Sequence, residues 1–511
     1  MKKYEETIQW LLSNPNELIK KNPFTRGFDR DFNTWSIDDV EIGQMLEAYI
    51  PTLRKRTIPQ EQFARELDPF SHDVLFDENI PSICVKLKDG GYQELKFEKV
   101  SVPFQRIIKN KQLMHLTANP MQFTLIESDP SNAMQEDFVW FKQYWSKRNQ
   151  DGMKTKMVDA QLSYGDAGLL YYFDYKGRIK SRLLSYEDGY VLCPHNDQNG
   201  DRILESVYYV KDGVEYIDSY DDTYMYRHIK QTMTNDAQHS GWVMEEPVVH
   251  GFDEIPLITK RGKVAWDSVQ TAIEGYEMLY NIYLVVFKRH GFGVLYVKGR
   301  FKDDGKRIAG NIVLNDTSMD GKGDAKFITP PSPDGILQTL DAMIQNIQLG
   351  SSTTFLLPKD VKTGGDISGI AIQLVQSLDI ENASQKVIEW QNVADKMVRL
   401  FKQGLAKELV NSGKHPTAVT SFEQLNINAK FKVWQPRNEF EYNQMVVQLH
   451  GAGILSNETS VELNTLSKPD EKKRLQREKE DAQVQALKIQ QDGIETTETK
   501  QTEGEITNSE Q

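Results

Sequence analysis

Hydrophobic residues recur at three- and four-residue steps in several long stretches of the chain, which is the spacing of an amphipathic helix. This spacing predicts helices over about 102–116, 136–162, 264–289 and 334–348, and the longest stripe predicts a helix over about 367–410. Some forty residues at 1.5 Å per residue correspond to roughly 60 Å. A helix of that length suits a stacked ring better than a lone globular domain.

The period changes between about 167 and 260, where extended, tyrosine-rich runs alternate with turn residues. The turns at 174–177 and 211–213 each carry Asp and Gly between strand-like runs and predict two β-hairpins. Short strands and glycine-rich turns are predicted over 291–331, and a strand over 431–434 is predicted to return to an earlier sheet. Segregated helices and antiparallel strands define the α+β class.

The two ends of the chain differ in composition from its middle. Residues 1–70 are charged and predicted to be mostly helical, and helices are predicted again over about 438–489. The last twenty residues, 492–511, contain six acidic groups and one lysine among many Thr, Gln and Ser residues. Such a segment lacks the apolar surface that would offset its ordering entropy, so the sequence predicts a disordered acidic tail over 491–511.

Bulk composition narrows the class of protein. A chain of 511 residues with 39% hydrophobic content predicts two to four packed units. Only Cys84 and Cys193 are present, which fits a reducing cytoplasm, and neither an N-terminal signal core nor a long apolar run is found. We therefore expect a soluble protein made in the cytoplasm. The net charge of −13 argues against tight DNA binding, but not against a surface past which DNA slides.

A search for catalytic motifs finds none. Gly305-Lys306 and Gly321-Lys322 lack the other residues of a phosphate-binding loop, and none of the nine histidines has the spacing of a zinc protease. Two acidic clusters, at 38–41 and at 218–222, have the spacing of a turn or a helix start. The sequence predicts no catalytic residue, metal or cofactor, and thus no enzyme. A metal-dependent DNA-processing enzyme that uses Asp221 remains the alternative.

One basic segment stands out against the acidic background. Over 288–307 it has seven positive residues against two negative ones, with three aromatic residues between them. A solvated β-ribbon, a contact with an acidic protein partner and a contact with DNA phosphates all fit this pattern. The basic residues are Lys288, Arg289, Lys298, Arg300, Lys302, Lys306 and Arg307.

The order of several motifs resembles the portal proteins of tailed bacteriophages, in particular the SPP1-type portal family. The stretch 250–258, with Ile255-Pro256 before apolar residues, is similar to the strand that precedes the first stem helix of that family. The stretch 366–371 resembles the start of the long helix beneath the wing, and 434–439 resembles the turn that leads into the crown. The resemblance extends over about 90–490.

The resemblance implies a division of the chain into named parts. They are a wing over 1–262, a stem helix over 263–290, a clip over 291–331, a second stem helix over 332–349, a tunnel loop over 350–366, the long helix and a returning wing strand over 367–436, a crown over 437–490 and the acidic tail. In the tunnel loop, Ser351, Ser352, Lys359 and Lys362 would face a DNA channel.

The same resemblance implies a function. Twelve subunits would form a ring at one capsid vertex of the virion, assembled in the host cytoplasm, and double-stranded DNA would pass through it during packaging and ejection. The ring would bind the terminase large subunit, a head-tail adaptor, and the major capsid and scaffolding proteins, and would contact no membrane. A different neck or tail protein of the virion is a second alternative, which the clip-like insertion between two helices disfavours.

Overall fold

The structure is a computed structural model, and it describes most of the chain after residue 58. The described residues are 59–80, 83–86, 92–95, 98–127, 130–196, 199, 201–230, 242–290, 294–298, 301–308, 311–316, 324–328, 334–355, 374–435, 439–464, 471 and 474–481. The chain divides into two compact units, the first formed by Met1–Asp360 with Leu378–Trp434 and the second by Val361–Ser377 with Gln435–Gln511. The predicted helices of residues 1–58 and the acidic tail lie outside the described residues.

Helices and strands are segregated along the chain, as the α+β class requires. The helices are α1 (Gln60–Leu67), α2 (Phe104–Thr117), α3 (Asn132–Lys147), α4 (Gln150–Tyr164), α5 (Gln270–His290), α6 (Asp334–Ser351), α7 (Ser377–Asn411), α8 (Ala418–Gln424), α9 (Glu439–Gly451) and α10 (Asn457–Leu463), with a 3₁₀ helix at Asp73–Leu75.

Strands group between α4 and α5 and again between α5 and α6. They are β1 (Ile83–Lys86), β2 (Tyr92–Leu95), β3 (Gln122–Leu125), β4 (Asp166–Phe173), β5 (Ile179–Leu184), β6 (Val191–Asn196), β7 (Arg202–Lys211), β8 (Val214–Tyr220), β9 (Tyr224–Lys230), β10 (Trp242–Met244), β11 (Val248–Val249), β12 (Leu257–Arg261), β13 (Val294–Lys298), β14 (Phe301–Ile308), β15 (Asn311–Asp316), β16 (Asp324–Ile328) and β17 (Ile427–Lys430).

Both predicted hairpins of the 167–260 region are confirmed. β4 pairs antiparallel with β5 and, on its other side, with β12. At the β4–β5 turn, the Asp174 carboxylate accepts hydrogen bonds from the backbone N–H groups of Lys176 and Arg178, both at 2.9 Å. β7 and β8 are joined at Asp212-Gly213, whose φ angles of 52° and 80° are those of a tight hairpin turn. Strands β6 to β10 form one antiparallel meander.

The strands between α5 and α6 form two antiparallel pairs. β13 pairs with β16, and β14 pairs with β15. In the sequence, β13 follows the end of α5 and its partner β16 precedes the start of α6, so this pair encloses β14 and β15. Short strands were predicted over 291–331, and the backbone pairing confirms them.

The core of the first unit forms where α3 and α7 bring aromatic rings together. The centroid of the Trp145 ring lies 5.2 Å from that of Phe401, and the Phe141 centroid lies 5.7 Å from it. On the same helix as Phe401, Gly404 packs against Ile179 of β5, and a Cβ added at Gly404 would lie 2.0 Å from the Ile179 Cδ1 atom. The close approach of α7 to the sheet therefore requires glycine at this position.

Several predicted boundaries were wrong. The single helix predicted over 136–162 is two helices, because Asn149 adopts a left-handed φ of 50° between α3 and α4. The helix predicted from 264 begins at Gln270, after a series of turns. The strand predicted at 431–434 lies instead at Ile427–Lys430, where it pairs with β3.

The longest predicted helix is interrupted near its start. Its regular part starts at Ser377, after a turn at Gln376, and ends at Asn411. Its 35 residues correspond to roughly 52 Å at 1.5 Å per residue. The stretch 367–373, which was predicted to begin this helix, lies outside the described residues.

In the second unit, helices α9 and α10 follow one another between residues 439 and 463. The Ser456 hydroxyl accepts a hydrogen bond of 3.1 Å from the backbone N–H of Thr459 and so caps the N-terminus of α10. α9 ends shortly before Gly453, which has a φ of 73°. The sequence had predicted helices over this region, and the described part of it confirms them.

Candidate functional site

The predicted tunnel loop is described at its beginning only. Ser351 is the last residue of α6 and is buried, with 4% of its surface exposed, and its hydroxyl donates to the Gln348 carbonyl at 3.3 Å. Ser352 has a left-handed φ of 50°, which ends the helix. Lys359 and Lys362 lie outside the described residues. The side chain of Ser351 is thus placed within the packed first unit.

The residues that follow α6 are held by a cluster of polar side chains from α2 and α7. We call it the loop-root cluster; its members are Lys111, Gln112, Thr353, Asp379 and Lys386. All five belong to the first unit. They join α2 to the end of α6 and to α7, both of which lie more than two hundred residues after α2 in the sequence.

Gln112 is the centre of the loop-root cluster. Its amide nitrogen donates to the Ser351 carbonyl at 3.1 Å and approaches the Thr353 hydroxyl at 3.3 Å. The same nitrogen lies 3.4 Å from the Ala265 carbonyl, just before α5. Its amide oxygen accepts a hydrogen bond of 2.5 Å from Lys386 Nζ. One side chain of α2 therefore contacts α7, the end of α6 and the segment before α5.

The Lys386 ammonium lies in a desolvated position on α7. Burial lowers the pKa of Lys386 from 10.5 to about 8, with Glu389 acting in the opposite direction. Near neutral pH the side chain is still protonated and donates to Gln112. Because Lys386 follows Ala383 by three residues and precedes Trp390 by four, it lies on the buried stripe of the helix.

A second pair of charged residues holds the next residue of the loop. Lys111 Nζ donates to the Thr354 carbonyl at 2.6 Å and lies 3.6 Å from Asp379 Oδ2. Asp379 Oδ1 accepts the Thr354 N–H at 3.1 Å. Both backbone groups of Thr354 are therefore bound by side chains from two different helices, and the backbone is fixed at this point.

Phe355 is the last described residue before the gap at 356–373. Its N–H donates to Gln348 Oε1 at 3.0 Å, and its ring stacks on Phe104 at a centroid distance of 5.6 Å. Phe104 in turn contacts Tyr276 of α5 edge-to-face at 5.1 Å. Hydrogen bonds and aromatic packing thus hold the chain as far as Phe355.

Helix α5 is anchored to the segments that precede α2 by two buried polar residues. Glu277 Oε1 lies 2.8 Å from His72 Nδ1 and accepts the Val102 N–H at 2.7 Å. Asn281 bonds both backbone groups of Val100, at 2.8 and 2.7 Å. Burial lowers the pKa of His72, but the hydrogen bond and the charge of Glu277 outweigh it, so the pKa is raised overall.

Helix α6 packs directly on α5. A Cβ added at Gly275 of α5 would lie 3.3 Å from the Met343 Cε atom, and one added at Gly350 would lie 2.6 Å from Val269 Cγ1. α5, α6 and the loop-root cluster therefore form one packed arrangement. The strands 294–328 are inserted between the two helices in sequence.

The predicted basic segment falls on these strands and on the end of α5. The backbones of Lys288 and Arg289 lie in the last turn of α5, that of Lys298 lies on β13, and those of Lys302 and the two following basic residues lie on β14. The latter two are Lys306 and Arg307. Arg300 and all seven side chains lie outside the described part of the structure, so their role stays a prediction.

The acidic cluster at 218–222 forms internal contacts instead of presenting an open set of oxygens. Asp218 binds Arg227 through two hydrogen bonds, at 2.8 and 2.9 Å. Asp221 Oδ1 accepts the N–H groups of Thr223 and Tyr224, and Oδ2 accepts the Tyr226 hydroxyl. Among the residues described, no group of three or more His, Cys, Asp or Glu side chains is placed to hold a metal ion. The cluster at 38–41 lies outside them.

The sequence predicted the two helices but not the loop-root cluster. The available signal was Lys386, a charged residue that interrupts the apolar stripe of the longest helix. Gln112 gave no signal, because a polar residue on a helix is ordinarily solvated. No helix within the described ranges is long and apolar enough to cross a membrane.

Comparison with known proteins defines the class. A family model for phage portal proteins of the SPP1 Gp6-like type matches residues 93–485, which is most of the chain. The protein is therefore of the phage portal class, a structural component of the virion. Within that class the chain belongs to the SPP1 Gp6-like portal family. The resemblance noted in the sequence is confirmed.

The other two comparisons add less. Among solved structures, a chain in the neck of an empty GTA particle computed with C6 symmetry is 14% identical, with a TM-score of 0.39. The match covers 72% of this chain and 91% of that chain. At this TM-score the similarity is too distant to support an argument. No curated protein matches.

Proposed function

We propose that this chain is one subunit of a ring of twelve that forms the DNA channel at a capsid vertex. Membership of the portal family is the observation that carries the proposal. The pair α5–α6, with two strand pairs inserted between them, supports the assignment of stem, clip and stem. The wing, crown and tunnel-loop assignments given above belong to the same proposal.

The proposed channel would pass double-stranded DNA during packaging and ejection. A chain with a net charge of −13 gives a strongly acidic ring, which keeps phosphates from adhering to most of its surface. Lys359 and Lys362 would supply local, weak contacts with the phosphates. Because the chain is anchored as far as Phe355, movement of the loop during DNA passage would be confined to the residues after it.

The proposed partners follow from the same assignment. The clip, with its basic segment, would bind the terminase large subunit and later the head-tail adaptor, while the major capsid and scaffolding proteins would surround the ring. Assembly would take place in the host cytoplasm, and the terminase would hydrolyse ATP. The portal subunit itself is proposed to have no catalytic role, no metal and no cofactor.

Mass photometry of the purified chain tests the ring. We expect a species about twelve times the 58.8 kDa subunit mass. A chain that stays a monomer or dimer at high concentration would contradict the proposal, and magnesium-dependent DNA cleavage abolished by Asp221→Ala would establish the enzyme alternative.

Charge removal in the loop tests the channel contacts. Lys359→Ala and Lys362→Ala are expected to lower the amount of DNA packaged per particle while leaving ring assembly unchanged. Lys176→Ala, in the exposed β4–β5 turn, is the matched control and should affect neither. Normal packaging together with disrupted rings would count against the assignment.

A further inference from the structure

A cavity opens between the β4–β5 hairpin and the β6–β9 meander, away from the loop-root cluster. Its volume is about 310 Å³, and its apolar floor is formed by Leu184, Val207 and their neighbours, which are buried. The polar groups that line it are four tyrosines, two arginines and one aspartate: Tyr172, Tyr190, Tyr209, Tyr220, Arg182, Arg227 and Asp218.

The cavity is lined by two positively charged side chains and one negatively charged side chain. Arg227 is neutralised by its two hydrogen bonds to Asp218, which also accepts the Tyr209 hydroxyl at 3.1 Å. Arg182, at the exposed rim, donates one N–H to the Tyr190 hydroxyl, and its guanidinium lies 5.1 Å from the centroid of that ring. No carboxylate among the described residues pairs with Arg182. The cavity therefore carries one net positive charge.

Two buried tyrosines of the cavity lining, Tyr190 and Tyr220, provide hydroxyl groups that can donate hydrogen bonds to a ligand. Tyr220 lines the cavity with 6% of its surface exposed, and within the described residues its hydroxyl forms no hydrogen bond. The Tyr190 hydroxyl accepts from Arg182, and its O–H group can in addition donate to a ligand. Burial raises the pKa of Tyr220, so the group stays a neutral donor at physiological pH. A bound acceptor that reaches this hydroxyl from the cavity would receive a hydrogen bond from it.

We propose that this cavity binds the carboxylate of an aspartate or glutamate side chain from an acidic protein segment. Arg182 provides the charge, and the hydroxyls of Tyr190 and Tyr220 donate to the carboxylate oxygens. A cavity of about 310 Å³ is at the lower end of ligand sites and suits one side chain. Tyrosine-rich surfaces are typical of protein recognition.

Nucleic acid fits the cavity less well. Binding a phosphate backbone takes several cations along a groove, whereas this cavity offers one unpaired cation. An acidic peptide can place a single carboxylate in the cavity while its other groups remain in solvent.

Fluorescence anisotropy with a labelled glutamate-rich peptide tests the proposal on the intact protein. The glutamine counterpart of the peptide should not bind. Arg182→Gln should weaken binding by about tenfold or more, because a hydrogen bond to a charged group is lost. Tyr220→Phe, which removes only the hydroxyl, should weaken it by about threefold to tenfold. Lys180 lies on the same face of β5 as Arg182 but does not line the cavity. The Lys180→Gln variant, which also loses one positive charge, should therefore bind the peptide normally.

Each other outcome overturns the assignment. Equal losses in Arg182→Gln and Lys180→Gln would mean that only the general charge of the strand matters. Unchanged binding by Tyr220→Phe, with a thermal unfolding midpoint like that of the parent protein, would remove the cavity from the site. Free glutamate that displaces the peptide at equal concentration would define a small-carboxylate site, and an oligonucleotide that displaces it would define a nucleic-acid site.

Discussion

Gln112→Leu is the perturbation that tests the loop-root cluster most sharply. Leucine nearly preserves the volume of the side chain but removes its hydrogen bonds to Ser351, Thr353 and Lys386. Leaving a buried polar group without a partner costs about 1–3 kcal/mol, and more for a charged group. The Ser351 carbonyl keeps the Thr353 hydroxyl as a donor, whereas the Lys386 ammonium is left without this acceptor in a desolvated site. We therefore expect a loss of about 3 kcal/mol, much of it as local opening.

Hydrogen exchange measures that opening residue by residue. The reporter amides are those of Thr353, Thr354 and Phe355, which are bonded to the Gln348 carbonyl, Asp379 and the Gln348 side chain respectively. Their exchange should accelerate by about two orders of magnitude in Gln112→Leu, since each 1.4 kcal/mol is a factor of ten.

Gln105→Leu is the matched control for this experiment. Gln105 is buried on the same helix and donates to Gln270 at 3.1 Å, but it has no hydrogen bond to the 351–355 segment. The control should cost about 1 kcal/mol and leave the three reporter amides protected. If Gln112→Leu also left these amides protected, the loop-root cluster would not be what holds the start of the loop.

Three further changes test separate parts of the structure. Gly404→Ala should destabilise the first unit by about 1–3 kcal/mol, because the added methyl group overlaps Ile179. Combining it with Ile179→Val should recover part of that loss. If chemical unfolding showed that the losses of the two single variants simply add in the double variant, the packing would be contradicted. Ser456→Ala should lower the stability of α10 by about 1 kcal/mol and speed exchange of its first-turn amides, whereas Ser460→Ala should not. Burial lowers the pKa of Lys386 from 10.5 to about 8, so between these two pH values the unfolded chain binds more protons than the folded one, and this residue makes stability rise with pH. Lys386→Met should reduce that rise. An unchanged pH dependence of the free energy of unfolding would show that the lysine is solvated.

The sequence predicted the parts of the fold whose signals are local. The hairpin turn at Asp212-Gly213 needs residues that tolerate positive φ, and the apolar stripes of α5 and α6 repeat over whole helices. Boundaries were less predictable, because they depend on tertiary contacts. The chain breaks at Asn149 although the apolar pattern continues through it, and β17 lies at 427–430 because it pairs there with β3, some three hundred residues earlier.

The candidate site was predictable only in outline. The order of loose motifs identified the portal family, and the family model confirms it. The loop-root cluster was beyond sequence reasoning, because Gln112 meets Ser351 and Lys386 across 239 and 274 residues. The anion-binding cavity depends likewise on two sheets whose packing no local pattern specifies.

Cryo-electron microscopy of the purified chain tests the central claim most directly. We expect twelve-fold rings with α5 and α6 around a central hole wide enough for duplex DNA, about 20 Å or more. Compact particles without a hole, or rings too narrow to admit a duplex, would contradict it.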